Sequence, residues 1–131
     1  SCLHQNEVLP QILHEYAVGV MKRAGECDRR FGGRNVAAFN QVLRKYGKTL
    51  DEWAETLNGV AKRRGMTRDQ YFRQIEDAVD NLGVTNPNMF SRENCSQLPK
   101  ELEEFNQTWA NFLREPIAIY FTANQYYQIC D

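Results

Sequence analysis

Apolar residues near the start of the chain recur in doublets four positions apart: Val8/Leu9, Ile12/Leu13, Tyr16/Ala17 and Val20/Met21, then Ala24 and Cys27. That spacing lays them along one broad face of a long helix and predicts α-helix over 7–28. Lys22 and Arg23 lie toward its end, where cations suit the negative pole of the peptide dipoles. The Gly32-Gly33 pair then stops it. A second stripe follows, opened by Asn35 as N-cap and carried by Val36, Phe39, Val42/Leu43 and Tyr46.

The next two stripes share one punctuation. Glycines fall at 47, 65 and 83, an interval of 65 − 47 = 83 − 65 = 18. Each is expected just past a helix end, where φ > 0 is needed. Thr49 with Glu52, and Thr67 with Gln70, have the spacing of a capping box, in which hydroxyl and acid or amide satisfy free N–H groups reciprocally. Helices are therefore expected over roughly 50–63 (Leu50, Trp53, Leu57, Val60/Ala61) and 68–82 (Tyr71/Phe72, Ile75, Ala78/Val79, Leu82). Two units are too few for a solenoid, so the pair reads as a helical hairpin.

Residues 83–98, with Asn86-Pro87-Asn88 and Cys95-Ser96, form the longest stretch without periodicity and are expected to be irregular. Pro99 suits the first position of a fifth helix, followed by Glu101, Glu103 and Glu104 and by a stripe of Leu102, Phe105, Trp109 and Phe112/Leu113. Pro116 is expected to open a sixth helix through Ile117, Tyr120/Phe121 and Tyr127. The fold class is all-α: about six amphipathic helices in one bundle or orthogonal array, a single domain over 1–131 with no strand.

Charge and cysteines narrow the function classes. A net charge of −1 removes the basic excess that nucleic-acid binding requires. No apolar run approaches the roughly 20 residues of a transmembrane segment. Cys2, Cys27, Cys95 and Cys130 contain no C-x-x-C pair, which excludes a zinc ribbon or a thioredoxin-type motif. Two disulfides, and hence a secreted or periplasmic location, are expected. A helix over 7–27 is ~30 Å long, beyond the ~18 Å reach of the residues before it, so Cys2–Cys27 and with it Cys95–Cys130 are disfavoured. Cys2–Cys130 with Cys27–Cys95, or Cys2–Cys95 with Cys27–Cys130, remain; the usual closeness of domain termini favours the first. A chain opening Ser1-Cys2 is expected to be a mature or trimmed form.

Candidate chemistry is sparse. Arg29, Arg30, Gly32, Gly33 and Arg34 precede a helix start and could cradle an anion on backbone N–H groups. No Walker, G-x-S-x-G or H-E-x-x-H pattern accompanies them, and no catalytic residue, metal ligand set or cofactor is expected. His4 and His14 read as structural or surface histidines. Asn94-Cys95-Ser96 and Asn106-Gln107-Thr108 match a glycosylation sequon. Between Phe105 and Cys130 the only charged residues are Arg114 and Glu115. Such an aromatic, amide-rich stretch resembles the centre of a protein interface, and Tyr120, Gln125, Tyr126, Tyr127 and Gln128 are its candidate contacts. The expected function is non-enzymatic binding of another protein, or of a second copy, as an inhibitor, immunity or adaptor protein. The alternative is carriage of a small apolar ligand between helices, for which Trp53, Phe72, Phe105, Trp109 and Phe121 supply bulk.

Overall fold

A computed structural model describes residues 2–114 and 127–130. The sixth helix expected after Pro116, and the candidate contacts Tyr120, Gln125 and Tyr126, lie outside the described residues, as do the side chains of Leu82, Phe112 and Leu113. Six α-helices are described: α1 (Gln5–Phe31), α2 (Asn35–Arg44), α3 (Gly47–Arg63), α4 (Arg68–Thr85), α5 (Arg92–Ser96) and α6 (Leu98–Arg114). A 3₁₀ turn at Pro87–Phe90 joins α4 to α5.

α1 is the hub, packing against α2, α3, α4, α5 and the 3₁₀ turn, while α6 lies across α2. The doublets explain this. Leu9, Leu13, Ala17, Met21, Ala24 and Cys27 join one apolar cluster with Phe39, Cys95, Leu98, Leu102, Phe105 and Trp109. Val8 and Val18 join a second, with Leu3, Leu57, Val60, Ala61, Tyr71 and Ile75. Ile12 packs against both. A stripe too wide for one neighbour thus feeds two cores on two flanks of one helix.

In the first core Trp109, buried to 1% exposure, is stacked between Tyr46 and Trp53, with ring centroids at 5.4 and 5.6 Å. Phe105 meets it edge-on at 4.9 Å and stacks on Tyr16 at 5.0 Å. These aromatics fill the interior against each other. Of the large residues expected around a ligand cavity, Trp53, Phe105 and Trp109 pack here on one another.

The termini are tied together. Cys2 is bonded to Cys130 and Cys27 to Cys95, the pairing favoured by helix length and terminal proximity. Leu3 and Ile129 form a parallel bridge, with Leu3 N–H donating to Gln128 O at 2.9 Å and Cys130 N–H to Leu3 O at 2.8 Å. Tyr127 sits in a bend leading into this extended end, not in a helix. Beside it, Glu7 accepts both Nη1 (2.8 Å) and Nη2 (2.6 Å) of Arg63, and Nη2 also donates to Cys2 O at 2.9 Å. Burial pushes the Glu7 carboxyl up; the Arg63 guanidinium and the His4 N–H outweigh it and hold the carboxyl below its ordinary range.

The glycine punctuation holds at one of its three positions. Gly65 has φ +70° and ends α3, and the Thr67–Gln70 box is formed with bonds of 2.9 and 3.1 Å. Gly47 instead opens α3, and the Thr49–Glu52 box is not made at that start. Tyr46 sets the boundary: its ring lies on Trp109 and its hydroxyl donates to Asn106 Oδ1, so α2 closes early on tight i→i+3 bonds. Gly83 lies inside α4, where a Cβ would come within 3.1 Å of the Phe90 ring. Its bareness serves close packing of the 3₁₀ turn, not a helix end. The stretch 83–98, expected to be irregular, is mostly helical, with Ser91 Oγ capping α5 by accepting from Asn94 N–H.

Two outcomes test this arrangement. Replacing Cys27 and Cys95 together by Ala should lower stability by about 2–4 kcal/mol in urea denaturation, because the bridge closes a long loop of the unfolded chain. Glu7→Gln should cost about 1–3 kcal/mol at neutral pH. A carboxyl held low in the folded state stabilises fully above its unfolded value and loses that contribution as pH falls through the folded one. The gap between Glu7→Gln and the parent chain should therefore narrow in acid.

Candidate functional site

Between α4 and α6 the cover on α1 is incomplete. Ile12, Tyr16, Gly19, Val20 and Arg23 follow one another along α1 at helical spacing and form the floor of a groove of about 570 Å³. Ile75, Ala78 and Val79 of α4 make one wall; Leu98, Glu101 and Leu102 of α6 make the other, with Met89 at one end. The lining is mainly aliphatic, and its charged members are Glu15, Arg23 and Glu101.

Each of those three is held from within. Arg23 pairs with Glu101 across the groove and donates through Nη2 to Asn94 O at 2.8 Å. Glu15 accepts from Gln11 Nε2 at 2.8 Å and from the Tyr127 hydroxyl, while Gln11 Oε1 accepts from the buried Tyr71 hydroxyl. Burial, and then Glu15, push the Tyr127 phenol up; burial does the same at Tyr71. Two tyrosines, an amide and a carboxylate thus form one fixed relay beside the groove. Gly19 has an open floor position: a Cβ there would find only Val79 Cγ1, at 4.0 Å.

A second recess of about 670 Å³ continues the groove toward the end of α1, sharing Gly19, Arg23, Val79 and Met89. Its rim changes character. Lys22, Arg29 and Arg30 join Arg23 on it, against Glu26 and Asp80. Lys22 pairs with Asp80 at 2.7 Å. Glu26 accepts from both Arg29 and Arg30, and hydrogen bonds from the two guanidiniums draw its carboxyl down to about 2. Arg30 also lies over the Phe90 ring at 5.3 Å.

The sequence-predicted anion loop is therefore split. Arg29 and Arg30 belong to this groove. Gly32, Gly33 and Arg34 border a separate recess of about 270 Å³ with Arg92, Cys27 and Cys95. There the first turn of α2 already has an anion, supplied by the chain itself. Asp28 Oδ1 accepts from Asn35 N–H at 3.1 Å and from Asn35 Nδ2 at 2.9 Å, and Oδ2 from Val36 N–H at 3.0 Å. Gly33, at φ +127°, lets the carboxylate in, since a Cβ would stand 3.1 Å from Oδ1. Burial raises the Asp28 carboxyl, and these bonds more than reverse it, leaving it below its ordinary value.

Other candidates have structural settings. Tyr127 is half-buried against the second core, and Gln128 is exposed with its carbonyl bonded to Leu3. His14 lies 4.8 Å from Phe72, its imidazole held low by burial against the pull of Glu15 and Glu76. In the two sequons, Asn106 accepts from Tyr46 within α6, and Asn94 donates to Asn88 O beside the buried Cys95. Among the described residues no group of three or more His, Cys, Asp or Glu could hold a metal ion. The groove itself was missed by sequence reasoning; its signal was the excess width of the α1 stripe. Comparison with protein-family models, with curated proteins and with solved structures finds no match to this chain.

Asp28→Ala would leave the α2 donors and the Asn35 amide without their acceptor. It should destabilise the fold by about 1–2 kcal/mol by thermal or urea denaturation. Asp28→Asn should recover only part of this loss, since the amide keeps one acceptor oxygen.

Proposed function

We propose that this is an extracytoplasmic binding protein that carries a small apolar ligand in the groove along α1. One observation supports this above the others: an interhelical groove of about 570 Å³, concave, aliphatic over most of its lining and edged by a few fixed polar groups. Those are the features of small-molecule sites in general. The size is well matched to a ligand of modest molecular weight, and Glu15, Arg23 and Glu101 each have a partner within the chain, so the groove asks chiefly for apolar contact. Two disulfides support an oxidising compartment. No helix among the described residues is long and apolar enough to cross a membrane.

A protein partner is the second reading, favoured by Tyr16 and Val84, which line the groove and its extension while 50% and 80% exposed. Exposed apolar side chains beside a helical groove suit the apolar face of a partner helix. The small ligand comes first because the floor is recessed between two walls, whereas the candidate contact Tyr127 is committed to Glu15.

Titration with straight-chain alcohols, followed by displacement of a polarity-sensitive dye, tests the reading. Each added methylene should tighten binding by up to about fourfold until the groove is full. Gly19→Leu should weaken binding at least about tenfold while leaving the fold intact, because the side chain would grow into open space and leucine suits a helix better than glycine. Affinity independent of chain length, or untouched by Gly19→Leu, would overturn it.

A further inference from the structure

We propose that the groove selects an anionic amphiphile, an alkyl chain with a single acidic headgroup, and that Arg29 and Arg30 receive the head. This rests on the reading of the groove as an apolar-ligand site and adds its polarity. The two recesses adjoin, sharing four lining residues, and together they follow α1 from Ile12 to Arg30. At ~1.5 Å per helical residue that path is roughly 27 Å, long enough for an extended chain with its head at one end.

The charges are unequal along it. The inner section is lined by Glu15, Arg23 and Glu101, one cation against two anions. The outer section adds Lys22, Arg29 and Arg30 against Glu26 and Asp80, three cations against two anions, while Arg23, which borders both sections, is paired with Glu101. Glu26 is shared by two guanidiniums, so its single charge leaves one of them uncompensated. Arg29 is the more exposed of the two, with 69% of its side chain open to solvent against 43% for Arg30. Each keeps guanidinium N–H groups not used by Glu26, in the planar fork that suits a carboxylate or a phosphate. Phe90, Met89, Pro87 and Val84 line the same section, so an alkyl chain stays on apolar surface up to the point where its head meets the arginines.

A cationic head would find the opposite. At the outer end it would face the excess guanidinium, and at the inner end Glu15 and Glu101 already carry hydrogen bonds from Gln11, Tyr127 and Arg23. Reversal of the ligand along the groove therefore offers it no carboxylate in excess to match the uncompensated guanidinium at the outer end.

Isothermal titration of the whole protein with dodecanoate, methyl dodecanoate and dodecylammonium, all below their aggregation concentrations, separates chain from head. Dodecanoate should bind about three- to tenfold more tightly than the ester, and dodecylammonium more weakly than either. The dodecanoate advantage should shrink as salt rises. In the double variant Arg29→Gln/Arg30→Gln, which touches only exposed side chains, dodecanoate and ester should come within about twofold of each other while the ester keeps its affinity. Equal affinity for all three heads, or a preference for the ammonium, would overturn the headgroup assignment and leave the apolar groove standing. Failure of all three to bind would overturn both. Dodecyl phosphate in place of dodecanoate should show the same arginine dependence if charge is what is read; loss of the preference with phosphate would overturn the assignment to the guanidinium pair.

Discussion

One helix serves three surroundings, and the rest of the molecule follows from that. α1 buries one flank against α2, α5 and α6 and another against α3 and α4, and leaves a third between α4 and α6. Each buried flank supplies the non-directional gain of removing apolar area from water. The partly open flank forgoes some of it at Ile12, Tyr16 and Val20, which are only partly buried or exposed. A small domain can carry such a deficit because other terms offset it: the aromatic stack around Trp109, the Glu7–Arg63 pair and two covalent bridges.

Much of the layout was legible because local and tertiary preferences agree. The doublets of α1, the Thr67–Gln70 box and the Gly65 terminator each describe what the folded chain does. The failures share a cause. At Gly47 and Gly83 the pattern was right locally and was overridden by a contact from elsewhere in the chain: Tyr46 against Trp109, and Phe90 against α4. No window of neighbouring residues contains that information, since the partners are tens of positions apart or their approach is set by the fold. Among the aromatic residues expected around a cavity, Trp53, Phe105 and Trp109 are the same case. Side chains large enough to border a void are also large enough to fill one, and here they pack on one another.

The groove was illegible for a related reason. Its floor belongs to the same stripe that builds the cores, so nothing in the spacing distinguishes a residue facing a neighbour from one facing an opening. The acidic partner at the start of α2 was equally hidden. The glycines and arginines before α2 were read as a cradle for an external anion, and the physics of that reading is sound. The donors of the first turn do bind a carboxylate, and it comes from Asp28, one helix earlier. A residue in the last turn of α1 thereby sets the angle at which α2 departs.

The union of Cys2 with Cys130 has a mechanical side. Separated by 128 positions in sequence, the two cysteines close the segment between them into a loop at one sulfur–sulfur bond. Tension applied through the extremities would run across that bond and the adjoining Leu3–Ile129 pairing, and would bypass every helix. Placed in a string of domains under load, this one would act as a rigid bead threaded at a single point, its helices and its groove shielded from the pull until the bridge is reduced.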